Sequence, residues 1–451
     1  MSATAGPWSG RRLHFVGVGG AGLSGYARAA HALGASVTGS DASPGPYLER
    51  LAVDGLLQAA VGHAAENVPA GSDVEVVYSS AVAPENVERR AAEERGLVQR
   101  PRAELLAELT ALRRTIAVAG THGKTTTASM LVHALRGAGL EPGWLIGGPV
   151  GGGLANAEWG SGECLVVEAD ESDRSMLRLE VEIALLTNVE LDHHSTYGSL
   201  AELRAAFAEF LDGPPSAVIW GRPELLELRT GPVTPYDIDG LTLTAGGSSF
   251  DWRGRPVRLE VPGAHNALNA VGALEAAALA GAPPDGAIEG LAGFHGAGRR
   301  FQPLGRSAGG AVLYEDYAHH PTEIAATLAA ARTFDHRRLV AVFQPHLYSR
   351  TRLLAREFGA ALAEADVVAV LDVYPARERA EDHPGVSGLT IAEATADSAA
   401  GRPVYWLPTF ADAEPVLREL LREGDIALIM GAGDIDELGS TLAGTELTVA
   451  P

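Results

Sequence analysis

Short runs of Val, Leu, Ala and Ile recur along this chain, separated by longer Ala-rich stretches whose apolar residues return every three or four positions. Short apolar runs bounded by Gly and polar residues read as strands, and the 3.6-residue period reads as amphipathic helix. Their alternation predicts parallel α/β architecture. The pattern restarts three times. The first segment predicts a strand over 13–16, a glycine cluster, a helix over 23–33, and strands over 35–39 and 74–79. The second opens with a strand over 115–119 that again runs into a glycine loop and a helix. The third follows a Gly/Arg-rich stretch at 296–310, with strands over 311–314, 339–343, 367–371 and 426–430. Three α/β domains are expected, over 1–111, 112–304 and 305–451, with no solenoid repeat and no long low-complexity linker.

The length of 451 residues agrees with three domains of about 150 residues each. No run of eighteen apolar residues occurs, so no transmembrane helix or membrane partner is expected. Residues 1–10 lack the apolar core of a signal peptide. The single cysteine, Cys164, cannot form an internal disulfide, which fits a cytoplasmic protein. A formal charge of −22 argues against nucleic acid as a partner, because that binding depends on Lys and Arg neutralising phosphates. An anionic ligand must be held by local devices: backbone N–H groups, a few cationic side chains, metal ions.

Two glycine loops offer such devices. Gly17-Val18-Gly19-Gly20-Ala21-Gly22 fits G-x-G-x-x-G between strand and helix, and Asp41 closes the next strand. Glycines let the backbone approach a pyrophosphate at a helix N-terminus, but NAD and a UDP-sugar present the same group, and a bare tight turn has the same sequence. The second loop, Gly120-Thr121-His122-Gly123-Lys124-Thr125-Thr126, departs from the Walker pattern because Val118 occupies the first glycine position. Its working end is intact: Lys124 can reach the β- and γ-phosphates and Thr125 can hold Mg²⁺. Lys124 is the only lysine in a chain whose other long cations are all arginine. A compact ammonium on a flexible stem suits a phosphate cradle, so this loop is expected to bind a nucleoside triphosphate.

Polar clusters follow other strands. Glu168 ends an apolar run and is the expected Mg²⁺ ligand; Glu171 and Asp173 fit either a site or a solvated turn. Asn188-Val189-Glu190-Leu191-Asp192-His193-His194 matches no familiar zinc spacing, so one histidine is expected at Mg²⁺ or phosphate and the other in packing. Asn266 and Asn269, one turn apart, fit helix capping or nucleotide contact. Asp316-Tyr317-Ala318-His319-His320 and Gln344-Pro345-His346-Leu347-Tyr348-Ser349-Arg350 each follow a strand, as substrate-site residues do.

Taken together, GVGGAGLSG, VTGSD, AGTHGKTTT, VVEADESD, TNVELDH, PGAHNALNA, GRRFQ, EDYAHHPTE, FQPHLYSRT, YPARE and GAGDI resemble, in order and across nearly the whole chain, the Mur ligase family. The resemblance implies an N-terminal Rossmann-like UDP-binding domain, a central P-loop ATPase-like domain and a C-terminal Rossmann-like domain. It implies ATP-dependent ligation of L-alanine to UDP-N-acetylmuramate through an acyl phosphate, in peptidoglycan precursor synthesis, by a monomer or homodimer. By the same resemblance Gly120, Thr121, His122, Gly123, Lys124, Thr125 and Thr126 bind ATP, Thr125 and Glu168 hold a first Mg²⁺, and His193 a second. Asn266, Asn269, Arg299, Arg300 and Asp316 are implied nucleotide contacts. Tyr317, His319, His346 and Arg350 are implied to bind the amino acid and the reacting carboxylate. Gly19, Gly20, Ser24, Asp41, Ser80 and Arg102 fall at positions of the UDP-sugar site. Lys124 being alone excludes the carbamylated lysine that several relatives use, and Leu347 stands where some relatives carry arginine. Alternatives are a recycling ligase that joins a tripeptide to the same UDP-sugar, an NAD-dependent oxidoreductase, and an ATP-binding switch protein.

Overall fold

The computed structural model describes residues 6–194 and 196–445; residues 1–5 of the opening stretch lie outside the described residues. The chain forms two compact units, 1–190 with 199–237 and 269–293, and 191–198 with 238–268 and 294–451.

The first unit holds two sheets. One is fully parallel: β1 (Arg12–Val16), β2 (Ser36–Asp41), β3 (Ala60–Val61), β4 (Val74–Tyr78) and β5 (Val98–Pro101), in the order β3-β2-β1-β4-β5. The chain leaves β1 on one side to reach β2 and later returns to its other side for β4. The carboxyl end of β1 is therefore a topological switch point, where doubly wound sheets bind ligands. The second sheet contains β6 (Arg114–Ala119), β7 (Gly143–Leu145), β8 (Ala157–Glu158), β9 (Cys164–Glu168), β10 (Ile183–Leu186), β11 (Ser216–Trp220) and β12 (Val233–Tyr236), in the order β12-β11-β10-β6-β9-β7-β8. Only β8 runs antiparallel. β6 lies between β9 and β10, which creates a second switch point above it. Helices cover both faces, so Ile116 to Ala119 and Leu165 to Val167 are buried without alternation.

The second unit begins with a small antiparallel sheet, β13 (Asp239–Thr244), β14 (Gly247–Trp252) and β15 (Arg255–Leu259). Phe250, Trp252, Val257 and Leu259 bury one face, while Ser249, Asp251 and Arg258 face solvent. Its main sheet is built from β16 (Gln302–Ser307), β17 (Val312–Asp316), β18 (Arg338–Phe343), β19 (Val367–Val370), β20 (Val404–Trp406), β21 (Asp425–Met430) and β22 (Ala443–Thr445), ordered β20-β19-β18-β21-β17-β16-β22. β16 is antiparallel to both neighbours and the rest are parallel. Two apolar layers clamp it, one around Ile324, Leu328 and Phe358, the other around Leu417, Ile435 and Leu438. Each fully buried Leu, Ile or Phe contributes about 1.5–3 kcal/mol, and this rigidity fixes the loops beyond β17 and β18. Among the described residues no helix is long and apolar enough to cross a membrane.

Candidate functional site

The phosphate loop leaves β6 and enters the helix Lys124–Gly137. Gly120 and Gly123 have φ of 134° and 80°, in the region glycine favours. A Cβ at Gly120 would lie 2.1 Å from Thr187 Oγ1, so a side chain there has neither the backbone angle nor the room. The end of β10 pins the loop: Asn188 Oδ1 accepts from His122 N at 2.9 Å, Thr187 Oγ1 donates to the His122 carbonyl at 2.7 Å, and Thr121 Oγ1 donates to Glu190 O at 2.9 Å. The first helical bond runs from Thr127 N to Gly123 O, so the N–H groups of Lys124, Thr125 and Thr126 have no acceptor within the helix and suit an anion.

Lys124 Nζ donates to the Gly120 carbonyl at 2.5 Å and to both Glu171 oxygens at 3.0 and 2.9 Å. Burial alone would lower its pKa, but Glu171, Asp170 and Glu168 outweigh that and hold the ammonium above its ordinary value. Glu171 is fully buried, so it is no solvated turn. Glu168 sits at the end of β9, accepts from Gly147 N at 2.9 Å and is reached by the Thr125 hydroxyl; burial raises its pKa. Two adjacent hard oxygen donors on a half-buried carboxylate and a hydroxyl fit Mg²⁺. Asn269 packs against the loop: a Cβ at Gly123 would come within 3.0 Å of its Oδ1.

At the carboxyl edge of the first sheet a cavity of about 580 Å³ is lined by Gly17, Gly19, Gly20, Asp41, His63 and Ser79, among others. Asp41 Oδ2 accepts from Gly19 N at 2.7 Å, and a Cβ on Gly19 would meet that oxygen at 2.8 Å. Three sequence expectations shift here. Ser80 is exposed and off the cavity wall, which its neighbours Ser79 and Ala81 form. Ser24 is buried on the helix Ala21–Ala32, donating to Ala21 O at 2.9 Å and accepting from Asn156 Nδ2 at 3.2 Å, so it braces the loop from behind. Arg102 donates to Asp170 and Asp173 at 2.8 Å each, while its Nη1 lies beside Gly22. A larger groove of about 820 Å³ lies around Arg114 and Glu182, at the amino ends of β6 and β10, opposite the edge where such sheets bind ligands.

The second unit gathers a different set. Arg350, on the helix Tyr348–Leu353, donates to both oxygens of Asp192 at 2.8 and 2.9 Å, with Nε adding a third bond at 3.0 Å. Both side chains are buried, at 3% and 4% exposure. His346 Nδ1 lies 3.2 Å from Arg350 Nη1, and its ring stacks on Tyr374 and meets His319 edge-on. His319 Nδ1 contacts the Tyr317 carbonyl at 2.9 Å, which makes Nδ1 the protonated nitrogen and leaves Nε2 as acceptor. Arg299 and Arg300 both approach the Tyr317 ring, at 5.2 Å. Arg299 also pairs with Glu315, and Arg300 with Glu323 at 3.4 Å. Asp316 accepts from Phe301 N and Ala318 N, and burial lifts its pKa to about 6. Asn266 donates back to Pro262 O at 2.7 Å. His193 has φ of 53°, and its N–H donates to Asp192 at 2.7 Å. Leu347 also takes a positive φ, 71°, its N–H bonded to Tyr374 O. Sequence reasoning missed Asp192 as the partner of Arg350, Glu171 as the partner of Lys124, and His63 on the cavity wall.

Burial pushes His319 down to about 3 and His346 and His265 to about 4. An unfolded histidine titrates near 6.5. Below that pH the unfolded chain takes up protons that the folded unit refuses, so stability falls as pH drops from about 6.5 toward 4. Asp316, raised to about 6, works in the opposite direction over part of that window. With His194 lowered as well, the histidines outweigh Asp316 and the likewise raised Glu315, so stability to urea is expected to be level near pH 7 and to fall below 6.5, by on the order of several kcal/mol in total. A midpoint unchanged down to pH 4.5 would contradict these neutral buried imidazoles.

A phosphate-type loop, a second glycine loop and a buried Arg350–Asp192 pair beside histidines on a third α/β sheet fit an ATP-dependent ligase, and comparison places it. Residues 12–114 match the domain described as Mur ligase family, catalytic domain; residues 118–277 match the Mur ligase middle domain; residues 299–433 match the Mur ligase, glutamate ligase domain. The chain belongs to the Mur ligase family. Within it, the chain is 43% identical over 462 aligned residues to the UDP-N-acetylmuramate--L-alanine ligase of Mycobacterium sp. (strain JLS), covering 95% of this chain and 94% of that one. The crystal structure of the UDP-N-acetylmuramate-alanine ligase of Thermotoga maritima superposes with a TM-score of 0.80 at 27% identity, over 96% of this chain and 98% of that one. A murein peptide ligase from Psychrobacter arcticus 273-4 shares the fold, with a TM-score of 0.71 at 24% identity over 96% and 98%.

Proposed function

We propose that this protein joins L-alanine to UDP-N-acetylmuramate at the expense of ATP, in the synthesis of peptidoglycan precursors. What supports this above all is the near-complete, 43% identical match to a UDP-N-acetylmuramate--L-alanine ligase, on a chain that carries the phosphate loop, the glycine-loop cavity and the Arg350 cluster. The work divides among domains over 1–111, 112–304 and 305–451. A carboxylate is a poor electrophile, so an oxygen of the lactyl carboxylate first attacks the γ-phosphorus and ADP leaves, giving an acyl phosphate. The alanine nitrogen then attacks the acyl carbon; the tetrahedral intermediate expels phosphate and the amine loses a proton.

Lys124 exchanges Glu171 for the terminal phosphates, and the loop N–H groups hold their oxygens. Thr125 and Glu168 are the residues that would hold Mg²⁺, with His193 for a second ion; bound there, the metal supplies neutralisation of phosphate charge. Asn266, Asn269, Arg299, Arg300 and Asp316 contact the nucleotide. Arg350, with His319, His346 and Tyr317, orients the alanine and the reacting carboxylate.

Phosphate release measured with each component omitted in turn tests this. Release is expected only when ATP, Mg²⁺, UDP-N-acetylmuramate and L-alanine are all present. Turnover with the murein tripeptide and none with alanine would overturn the assignment in favour of a recycling ligase.

A further inference from the structure

The cluster around Arg350 holds a guanidinium and yet offers no free positive charge. Arg350 has five N–H groups, and each has a partner within the chain. Nε meets Asp192 Oδ1 at 3.0 Å, and Nη2 meets the two Asp192 oxygens at 2.8 and 2.9 Å. Nη1 meets His346 Nδ1 at 3.2 Å and the His346 carbonyl at 3.4 Å. Asp192 cancels the charge as well, and burial keeps His319 and His346 neutral near pH 7. An amino acid brings a carboxylate here, and a carboxylate leaving water needs a cation or several donors. Arg350 can give it neither.

A long loop over 371–387 runs past the same place, between β19 and the helix Gly388–Ser398. Asp372 Oδ1 accepts from Gly388 N at 2.7 Å and draws its ends together. Irregular loops of this length in a packed domain commonly serve a site. Two pins hold this one to the segment that carries Arg350. Tyr374 N donates to Pro345 O at 2.8 Å, Tyr374 O accepts from Leu347 N at 3.0 Å, and the Tyr374 ring stacks on His346 with centroids 5.7 Å apart. Glu378 accepts from Ser349 N at 2.9 Å and from the Ser349 hydroxyl. Between the pins the chain turns, Glu378 N bonding to Pro375 O at 2.9 Å with Ala376 at a φ of 49°.

Arg377 sits in that turn. It is exposed and makes no hydrogen bond or ion pair among the described residues, whereas Arg379 pairs with Glu381 at 2.6 Å. Its charge acts on the His346 ring, behind burial and Arg350 in holding that imidazole low. Arg352 is also exposed, but it lies two residues from Arg350 on one helix and so projects from another face. We propose that Arg377 holds the carboxylate of the incoming amino acid, reaching it from the loop while Asp192 and Arg350 keep His346 and its helix in place. A guanidinium fork matches a carboxylate through two parallel bonds, and the pinned turn limits where that fork can go. This rests on reading the cluster as the amino-acid subsite.

Phosphate release with L-alanine and with L-alaninamide, which lacks the carboxylate charge, tests it. The native protein should favour alanine in kcat/KM by at least about tenfold, the worth of a charge-assisted pair. Arg377→Ala should raise KM for alanine about tenfold and bring the alanine-to-amide ratio near one, with KM for ATP and for UDP-N-acetylmuramate within about twofold of native. Arg377→Lys should recover part of the ratio, since the charge returns without the fork. The side chain is exposed, so the urea midpoint should stay native in both variants. A native ratio near one, or a ratio unchanged in Arg377→Ala, overturns the inference. So does a rise confined to KM for the UDP-sugar, which would put the guanidinium on the reacting lactyl carboxylate instead. A native protein whose phosphate release ignores L-alanine overturns the reading of the cluster itself.

Discussion

Replacing Lys124 with Met is expected to lower ATP-dependent phosphate release by about a thousandfold or more while UDP binding stays near native. The ammonium is the loop's one lysine, and preorganised charge facing a transferring phosphoryl group is among the strongest sources of rate enhancement an enzyme has. It is held by Glu171 through two bonds of 2.9–3.0 Å and by the Gly120 carbonyl. The neutral thioether fills the space without reaching a phosphate. UDP should be indifferent, because the cavity proposed for it sits on another sheet, at the end of β1. Single-turnover phosphate release paired with UDP calorimetry separates the outcomes: loss of both would mean a collapsed fold, and retained turnover would remove Lys124 from the chemistry.

The second large effect concerns Asp192. Its bidentate pairing with Arg350 is nearly free of solvent, and Arg350 holds its carboxyl well below the usual range after burial is overcome. Asp192→Ala would leave a guanidinium buried without its counter-ion, at a cost of about 3–5 kcal/mol. Urea unfolding should show that loss, and the Michaelis constant for alanine should rise as Arg350 swings from its position. Combining Asp192→Leu with Arg350→Met should restore much of the stability and none of the activity. A double variant as unstable as the single one would show that the pair is not what holds this segment.

The parallel strands were legible because a strand covered on both faces needs a continuous apolar run, as in Leu339 to Phe343. Strand ends then named the candidate site: Glu168, Asp316 and the loop after β6 follow directly from where runs stop. The small sheet β13–β15 escaped because β13 is mostly exposed and its Leu-Thr repeat, between glycines, carries the composition of a loop. Asp192 was visible only as a neighbour of two histidines; its partner lies 158 residues away, and no single sequence reveals such a pairing. Ser80 lies one residue from the cavity wall, since the turn after β4 puts Ser79 there. His63 belongs to no motif, and its contacts with Ser40 and Glu88 come from separate parts of the chain.

The ion pair between Lys124 and Glu171 also gives the chain a chemical handle. Every other long cationic side chain is arginine, so this ε-amine is the only side-chain primary amine open to amine-selective acylation or reductive alkylation. Half-buried and held protonated by a carboxylate, it reacts mainly in the moments when the pair opens. The rate of amine labelling at one position therefore clocks that opening, and its change on adding nucleotide reads loop occupancy without any engineered probe.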